Sequence, residues 1–272
     1  MFRIGIGLPS KIFSSASGYD PDALAYFTAA SITDITTKNA INTFVLGLKE
    51  AAIWNKFYSI YPIVGTLAQS SYNLVNPSNY QVTWIDTPSL SSNTISFNGT
   101  TQYGNSNFSP ISISGFNMND VSIGVWDATG FNSRTEVPIG TTQNVGADRI
   151  RAVWFNTNNN IFDVMSNNII TNRVVFNSQG VGHWHFQRLG TLSKVFKNAT
   201  SVGSTNATGD VSIIPTNKIF LGASSDGNPG DNTPALFSQK SYKLFYIGKA
   251  LTDSEVATFY SYISDLNTAL GR

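Results

Sequence analysis

His183 and His185 flank Trp184, and on an extended strand that spacing turns both imidazoles to one face. Two histidines so placed could share a metal ion. No third ligand accompanies them, so the favoured reading is a hydrogen-bonded pair inside a β-sandwich. Segment 226–232, DGNPGDN, gathers Asp226, Asn228 and Asp231 on one short loop. Calcium takes roughly six to eight oxygen ligands of this kind, which makes these three the candidate metal site. The competing reading is a turn rich in residues that tolerate unusual backbone angles. Glycoside cleavage needs two carboxylates at a set separation. Of the glutamates, Glu50 and Glu255 fall in predicted helices and Glu136 has no acidic neighbour close in sequence. Asp127 and Asp163 lie near strand ends without an obvious partner, so the expectation is a protein that is not an enzyme.

Sugar recognition needs an aromatic ring for the apolar face of a pyranose and amide or carboxyl groups for its hydroxyls. Trp84, Trp126, Trp154, Trp184 and Tyr103 are available for the first task. Trp126, Trp154 and Trp184 sit in or at the end of apolar runs, which suits core packing. The loops at 127–132 and 226–232 are where a glycan would bind, with Trp126, Asp127, Asn132, Asp226 and Asn228 as candidate contacts.

Three helices and a long series of strands must position these groups. Asp20-Pro21 starts a short helix, with Asp as cap and Pro at its first position. Thr33 or Asp34 caps a second, in which Ile41, Phe44, Val45 and Leu48 form one apolar face. Its pattern predicts continuation through Trp54 toward Phe57, although Gly47 weakens the middle. Thr252 and Glu255 form a capping box for a last helix that ends at Gly271. Between them, short β-branched and aromatic runs alternate with Asn, Gly, Ser and Pro. They predict strands at 82–85, 94–97, 121–126, 149–155, 161–165, 173–176, 182–189, 193–197, 218–222 and 242–247. Asn98-Gly99 predicts a two-residue hairpin joining 94–97 to 100–103. At the front, Phe2, Ile4, Ile6 and Leu8 alternate, which suits an extended docking arm.

Composition narrows the function. The formal charge is +1 with 12% charged residues, too little basic excess for a nucleic-acid binder. The chain has no cysteine, which removes disulfides, thiolate metal sites and thiol nucleophiles. No apolar run is long enough for membrane insertion, and no secretory signal is expected at the start. The fold class expected is mainly β, an antiparallel jelly-roll sandwich with a short N-terminal helical segment and a C-terminal helix. Its parts are an arm at 1–19, a helical anchoring segment at 20–65 and the jelly roll at 66–272.

The order of motifs also resembles a known family. TISFNGTTQYG (94–104), VGHWHFQRLGTLSKVFK (181–197) and NKIFLGASSDGNPGDNTPALFSQKSYKLFYIGKA (217–250) are similar to segments of concanavalin A-like, laminin-G-type jelly rolls. With the tail LTDSEVATFYSYISDLNTALGR and the segment at 20–65, the chain resembles bacteriophage and prophage virion proteins. That resemblance implies a structural protein of a phage particle, on capsid or tail. Its jelly roll would face outward toward host-surface glycans. Its partners would be other virion proteins and further copies of itself. Phe2, Ile4, Ile6, Leu8, Phe44 and Leu48 are the expected assembly contacts. The alternative is a carbohydrate-binding adhesin or lectin module without a structural role. No cofactor is required on either reading, with calcium the one candidate.

Overall fold

A computed structural model of the chain describes residues 18–130, 134–144, 148–155 and 159–272. The proposed arm residues Phe2, Ile4, Ile6 and Leu8, and the loop residue Asn132, lie outside the described residues.

Local signals set the helices. In α1 (Pro21–Ala29) the Asp20 carboxylate accepts the Asp22 amide at 2.9 Å. In α2 (Ile35–Glu50) the Asp34 carboxylate accepts the Thr37 amide at 2.7 Å. α2 stops at Glu50 and does not run on to Phe57. Ala52 takes φ of 57°, and the Ile53 amide returns to the Leu48 carbonyl, a Schellman closure. That turn releases the chain to enter a sheet. In α3 (Asp253–Ala269) the capping box of Thr252 and Glu255 forms, and Gly271 follows the helix with φ of 67°. Gly47 has a packing reason: a Cβ there would lie 2.4 Å from the Tyr262 ring of α3. Among the described residues, no helix is long and apolar enough to cross a membrane.

In chain order the first strands are β1 (Phe57–Pro62), β2 (Thr83–Ile85), β3 (Ser89–Ser91), β4 (Thr94–Ser96), β5 (Tyr103–Asn105) and β6 (Asp120–Asp127). Next come β7 (Ile139–Thr142), β8 (Arg149–Val153), β9 (Asn160–Met165), β10 (Val174–Phe176), β11 (Gly182–Leu189) and β12 (Leu192–Lys197). The last are β13 (Thr200–Asn206), β14 (Phe220–Leu221), β15 (Ser224–Asp226), β16 (Thr233–Ala235) and β17 (Ser241–Gly248). One sheet runs β13-β12-β11-β6-β17-β4-β3, with β1 also paired to β17; the other runs β10-β9-β8-β7-β14-β5-β2, with β15 beside β7 and β16 beside β15. Among the described residues all pairings are antiparallel except the short contact of β15 with β7.

The layers are helices, first sheet, second sheet. Alternation along β11 shows why: Trp184 and Phe186 point into the core between the sheets, where Trp154, Phe162 and Phe176 meet them. Its other face, with His183, His185 and Gln187, points to the helical layer. There Phe44, Phe57, Leu244, Tyr246, Phe259 and Ile263 form a second core. A strand covered on both faces must be apolar or have its polar groups paired inside: LFYIG in β17 is the first case and the His183, His185 and Gln187 face of β11 the second.

This arrangement corrects two expectations. Residues 20–65 are no separate anchor, because β1 is a strand of the first sheet and α2 packs on α3. Phe44 and Leu48 are 2% and 0% exposed, with the Phe44 ring 6.3 Å from Phe259. They are core residues of their own chain and not assembly contacts, so the apolar helix faces that argued for a homo-oligomer are already covered.

The Asn98-Gly99 hairpin is also absent. β4 and β5 belong to different sheets, and the loop between them crosses from one to the other. The Asn98 side-chain oxygen accepts the amides of Thr100, Thr101 and Gln102 at 2.9, 3.0 and 3.1 Å. The tight hairpin is Ser92-Asn93, joining β3 to β4 with φ of 48° and 55°. Asn98→Ala is expected to lower stability by about 1–2 kcal/mol, as loss of an asparagine cap does. Urea denaturation measures it, and a loss under about 0.3 kcal/mol would mean the crossover holds without the cradle.

Candidate functional site

The two histidines form a hydrogen-bonded chain that ends at His183 Nδ1, which is buried and has no hydrogen-bond partner among the described residues. Gln187 Oε1 accepts the Leu251 amide at 2.8 Å and lies 2.8 Å from His185 Nε2, so that nitrogen carries the proton. His185 Nδ1 then accepts from the Tyr246 hydroxyl at 2.7 Å, and Tyr246 in turn accepts from His183 Nε2 at 2.8 Å. Gln187 Nε2 donates to the Leu251 carbonyl at 2.8 Å. All four side chains are buried. Burial pushes His185 down to about 4, and burial with the His185 neighbour pushes His183 well below its ordinary value. The pair therefore ties β11 and β17 to the approach of α3, as hydrogen-bonded sandwich residues.

The acidic residues are likewise engaged. Asp163 is fully buried, with Arg173 at 2.7 Å and Arg149 and Arg151 at 3.7 and 3.5 Å. Glu136 is buried and accepts the Gln239 amide at 2.7 Å, while Glu255 pairs with Lys56 at 2.7 Å. None of these contacts brings two carboxylates together across an open cleft.

The expected sugar loops divide. Trp126 is half-buried against the helical layer, stacked 6.2 Å from Tyr260 and 6.4 Å from His183. Asp127 is 0% exposed, and Lys240 Nζ donates to its Oδ2 at 2.8 Å. Its Oδ1 accepts the amides of Thr129 and Gly130. An enclosed, fully paired carboxylate cannot reach a hydroxyl of a ligand, so Asp127 is a structural residue. In the second loop Asp226 accepts the Gly227 amide at 2.8 Å and Asp231 accepts the Asn228 amide at 3.0 Å. These oxygens cap the loop's own backbone. Among the described residues no three His, Asp or Glu side chains gather at one point. Asn228 is exposed at the tip.

An open cleft of about 540 Å³ lies elsewhere, at the β2 edge of the second sheet. Leu67, Ser71, Gln81, Thr83, Trp84 and Asn107 line it. Trp84 on β2 stands directly opposite Gly104 on β5, where a Cβ would lie 2.5 Å from the indole. The missing side chain lets the ring lie across the neighbouring strand. Trp84 Nε1 donates to the Leu67 carbonyl at 3.0 Å, which fixes the ring's rotation, and the residue is partly buried, packed against the core with its ring 6.4 Å from Phe97. Around it Gln81 reaches Ser71 Oγ at 3.1 Å, and Asn107 reaches the Gln81 carbonyl at 2.8 Å and Thr83 Oγ1 at 3.2 Å. The site joins a held aromatic surface to a rim of amides and hydroxyls. Sequence reasoning named Trp84 among the aromatics but placed the site at other loops.

No protein-family model matches the chain, and no curated protein matches its sequence. Solved structures do. The chain is similar to Trypanosoma rangeli sialidase in complex with 2,3-difluorosialic acid, with TM-score 0.52, 10% identity, 85% of this chain and 40% of that chain covered. It is also similar to the botulinum neurotoxin serotype D binding domain, with TM-score 0.51, 13% identity, 78% of this chain and 52% of that one. The chain thus spans about half or less of each. At these identities the likeness shows the fold: a mainly antiparallel β-sandwich with an N-terminal helical region and a C-terminal helix, as expected from the sequence.

Proposed function

We propose that the protein is a carbohydrate-binding β-sandwich module that takes a sugar ring in the cleft at Trp84. The observation that carries this reading is the indole, partly buried yet lining the open cleft, fixed by its hydrogen bond to Leu67 and bordered by Gln81, Thr83 and Asn107. Ligand clefts combine apolar surface with a few placed polar groups, and an aromatic ring with a polar rim supplies both for a pyranose. The sialidase of similar fold, of which the chain spans 40%, holds a difluorosialic acid in that structure. A binding role without catalysis fits the engaged state of the buried carboxylates.

The test is a glycan array probed with the full chain and with Trp84→Ala. The expected result is saturable, sugar-competed binding that weakens about 30-fold, the effect of truncating a tryptophan anchor by about 2 kcal/mol. Gln81→Ala, at an exposed rim position, checks the site without touching the core. Binding that survives both changes, or no binding to any glycan, would overturn the reading.

The place of work we propose is the surface of a bacteriophage particle, where such a module would serve as a host-glycan adhesin. The support is the resemblance of residues 20–65 and 217–272 to virion proteins. Antibody labelling of intact particles in the electron microscope tests it.

A further inference from the structure

A second cleft, of about 440 Å³, shares no lining residue with the Trp84 cleft. It opens between the loops at 116–119, 188–191 and 208–214, at one end of the space between the sheets. Arg188, the last inward-facing residue of β11, forms part of its wall and is only 2% exposed. Its Nε donates to Asn119 Oδ1 at 2.9 Å and to the Gly190 carbonyl at 3.1 Å, and its Nη2 donates to the Ala207 carbonyl at 2.6 Å. Every one of these partners is neutral. Nη1 is buried and has no hydrogen-bond partner among the described residues, and none of their carboxylates pairs with this guanidinium.

A buried charge without a counter-charge and with idle donors is costly. Here it lies in the wall of a cleft large enough for a monosaccharide. We infer that this cleft binds a ligand bearing a single carboxylate, which accepts from Arg188 Nη1 once a side-chain rotation brings that buried nitrogen to the cleft wall. A phosphate dianion suits the site less well. Two of the three guanidinium nitrogens are already committed to protein oxygens, so one nitrogen remains. The same cleft also holds the Asp210 carboxylate, which hydrogen bonds from Ser212 keep ionised by lowering it from its ordinary value. Asp210 repels a dianion more strongly than a monoanion, so the single charge is the better match for Arg188 here. The exposed hydroxyls of Thr191, Thr208 and Ser212 stand at the rim for the uncharged part of the ligand.

The test titrates the ¹⁵N-labelled full chain with glucuronate, with methyl glucoside and with inorganic phosphate. Glucuronate is expected to shift amide resonances at 188–191 and 207–212, while methyl glucoside leaves them in place. Arg188→Gln is expected to weaken glucuronate binding at least tenfold. Because that change also removes contacts to Asn119 and Ala207, Thr208→Trp at the exposed rim serves as the second variant and is expected to block the cleft in a folded protein. Thr208→Trp should leave any glycan binding at Trp84 unchanged, so the two sites are scored separately. Unmoved resonances, wild-type affinity in both variants, or tighter binding of phosphate than of glucuronate would overturn the inference.

Discussion

Replacing Lys240 with alanine is expected to cost about 3–5 kcal/mol of stability, the usual penalty for removing one partner of a buried ion pair. Lys240 and Asp127 are both 0% exposed and 2.8 Å apart. Lys240 Nζ also donates to the Gly130 carbonyl and lies 5.5 Å from the centre of the Trp154 ring. Asp127 in turn holds the Thr129 and Gly130 amides. The alanine variant strands a carboxylate in the interior and frees the loop that follows β6. Urea denaturation of Lys240→Ala, and of a Lys240→Met, Asp127→Leu double variant, separates the two effects. The double variant is expected to recover most of the loss, because it leaves no unpaired charge. A single-variant loss below about 1 kcal/mol would show that the pair does not hold this corner.

Acidification should weaken the fold well before the carboxylates titrate. His185 is neutral in the folded protein, with its affinity for a proton pushed down to about 4 from 6.5 by burial. The unfolded chain takes up that proton at the ordinary value, so it binds more protons than the native state below pH 6.5, and stability falls with falling pH. The contribution is fully present above about 6.5 and is lost as pH drops toward 4. His185 alone accounts for about 2 kcal/mol between pH 7 and 5, and His183 acts in the same direction. The carboxylates held below their ordinary values, Asp34, Asp210 and Glu255, add their losses only at lower pH. Urea midpoints at pH 7 and 5 check this, with His185→Gln expected to flatten the profile. An unchanged slope in that variant would remove His185 as the cause.

Signals confined to a few residues were readable in the chain itself. Asp20, Asp34 and the Thr252–Glu255 box set helix starts because each cap acts within three residues. Strands with an apolar or aromatic run, such as β6, β11 and β17, were readable too, whereas β1, β3, β7, β13, β15 and β16, mostly short or polar, were not. What escaped depended on distant pairing. The Asp-Ala-Thr-Gly run at 127–130 looks like a solvent loop until Lys240, 113 residues away, is brought beside Asp127. Asn98-Gly99 carries a hairpin signature, yet its flanking strands pair in different sheets. The surface proposed at Trp84 depends on β2 placing that residue opposite Gly104, and neither residue announces that register. Phe44 and Leu48 were rightly read as one apolar face, but its cover, α3, lies some two hundred residues downstream.

β17 lies in the interior of the first sheet, bonded along one edge to β6 and along the other to β4 and β1 end to end. The segments it joins therefore leave the ribosome long before the strand that holds them together. At about 5–20 residues per second, residues 57–62 wait roughly 10–40 s for their partner. During that interval the apolar faces of the nascent chain are uncovered, and a holding chaperone has a natural substrate.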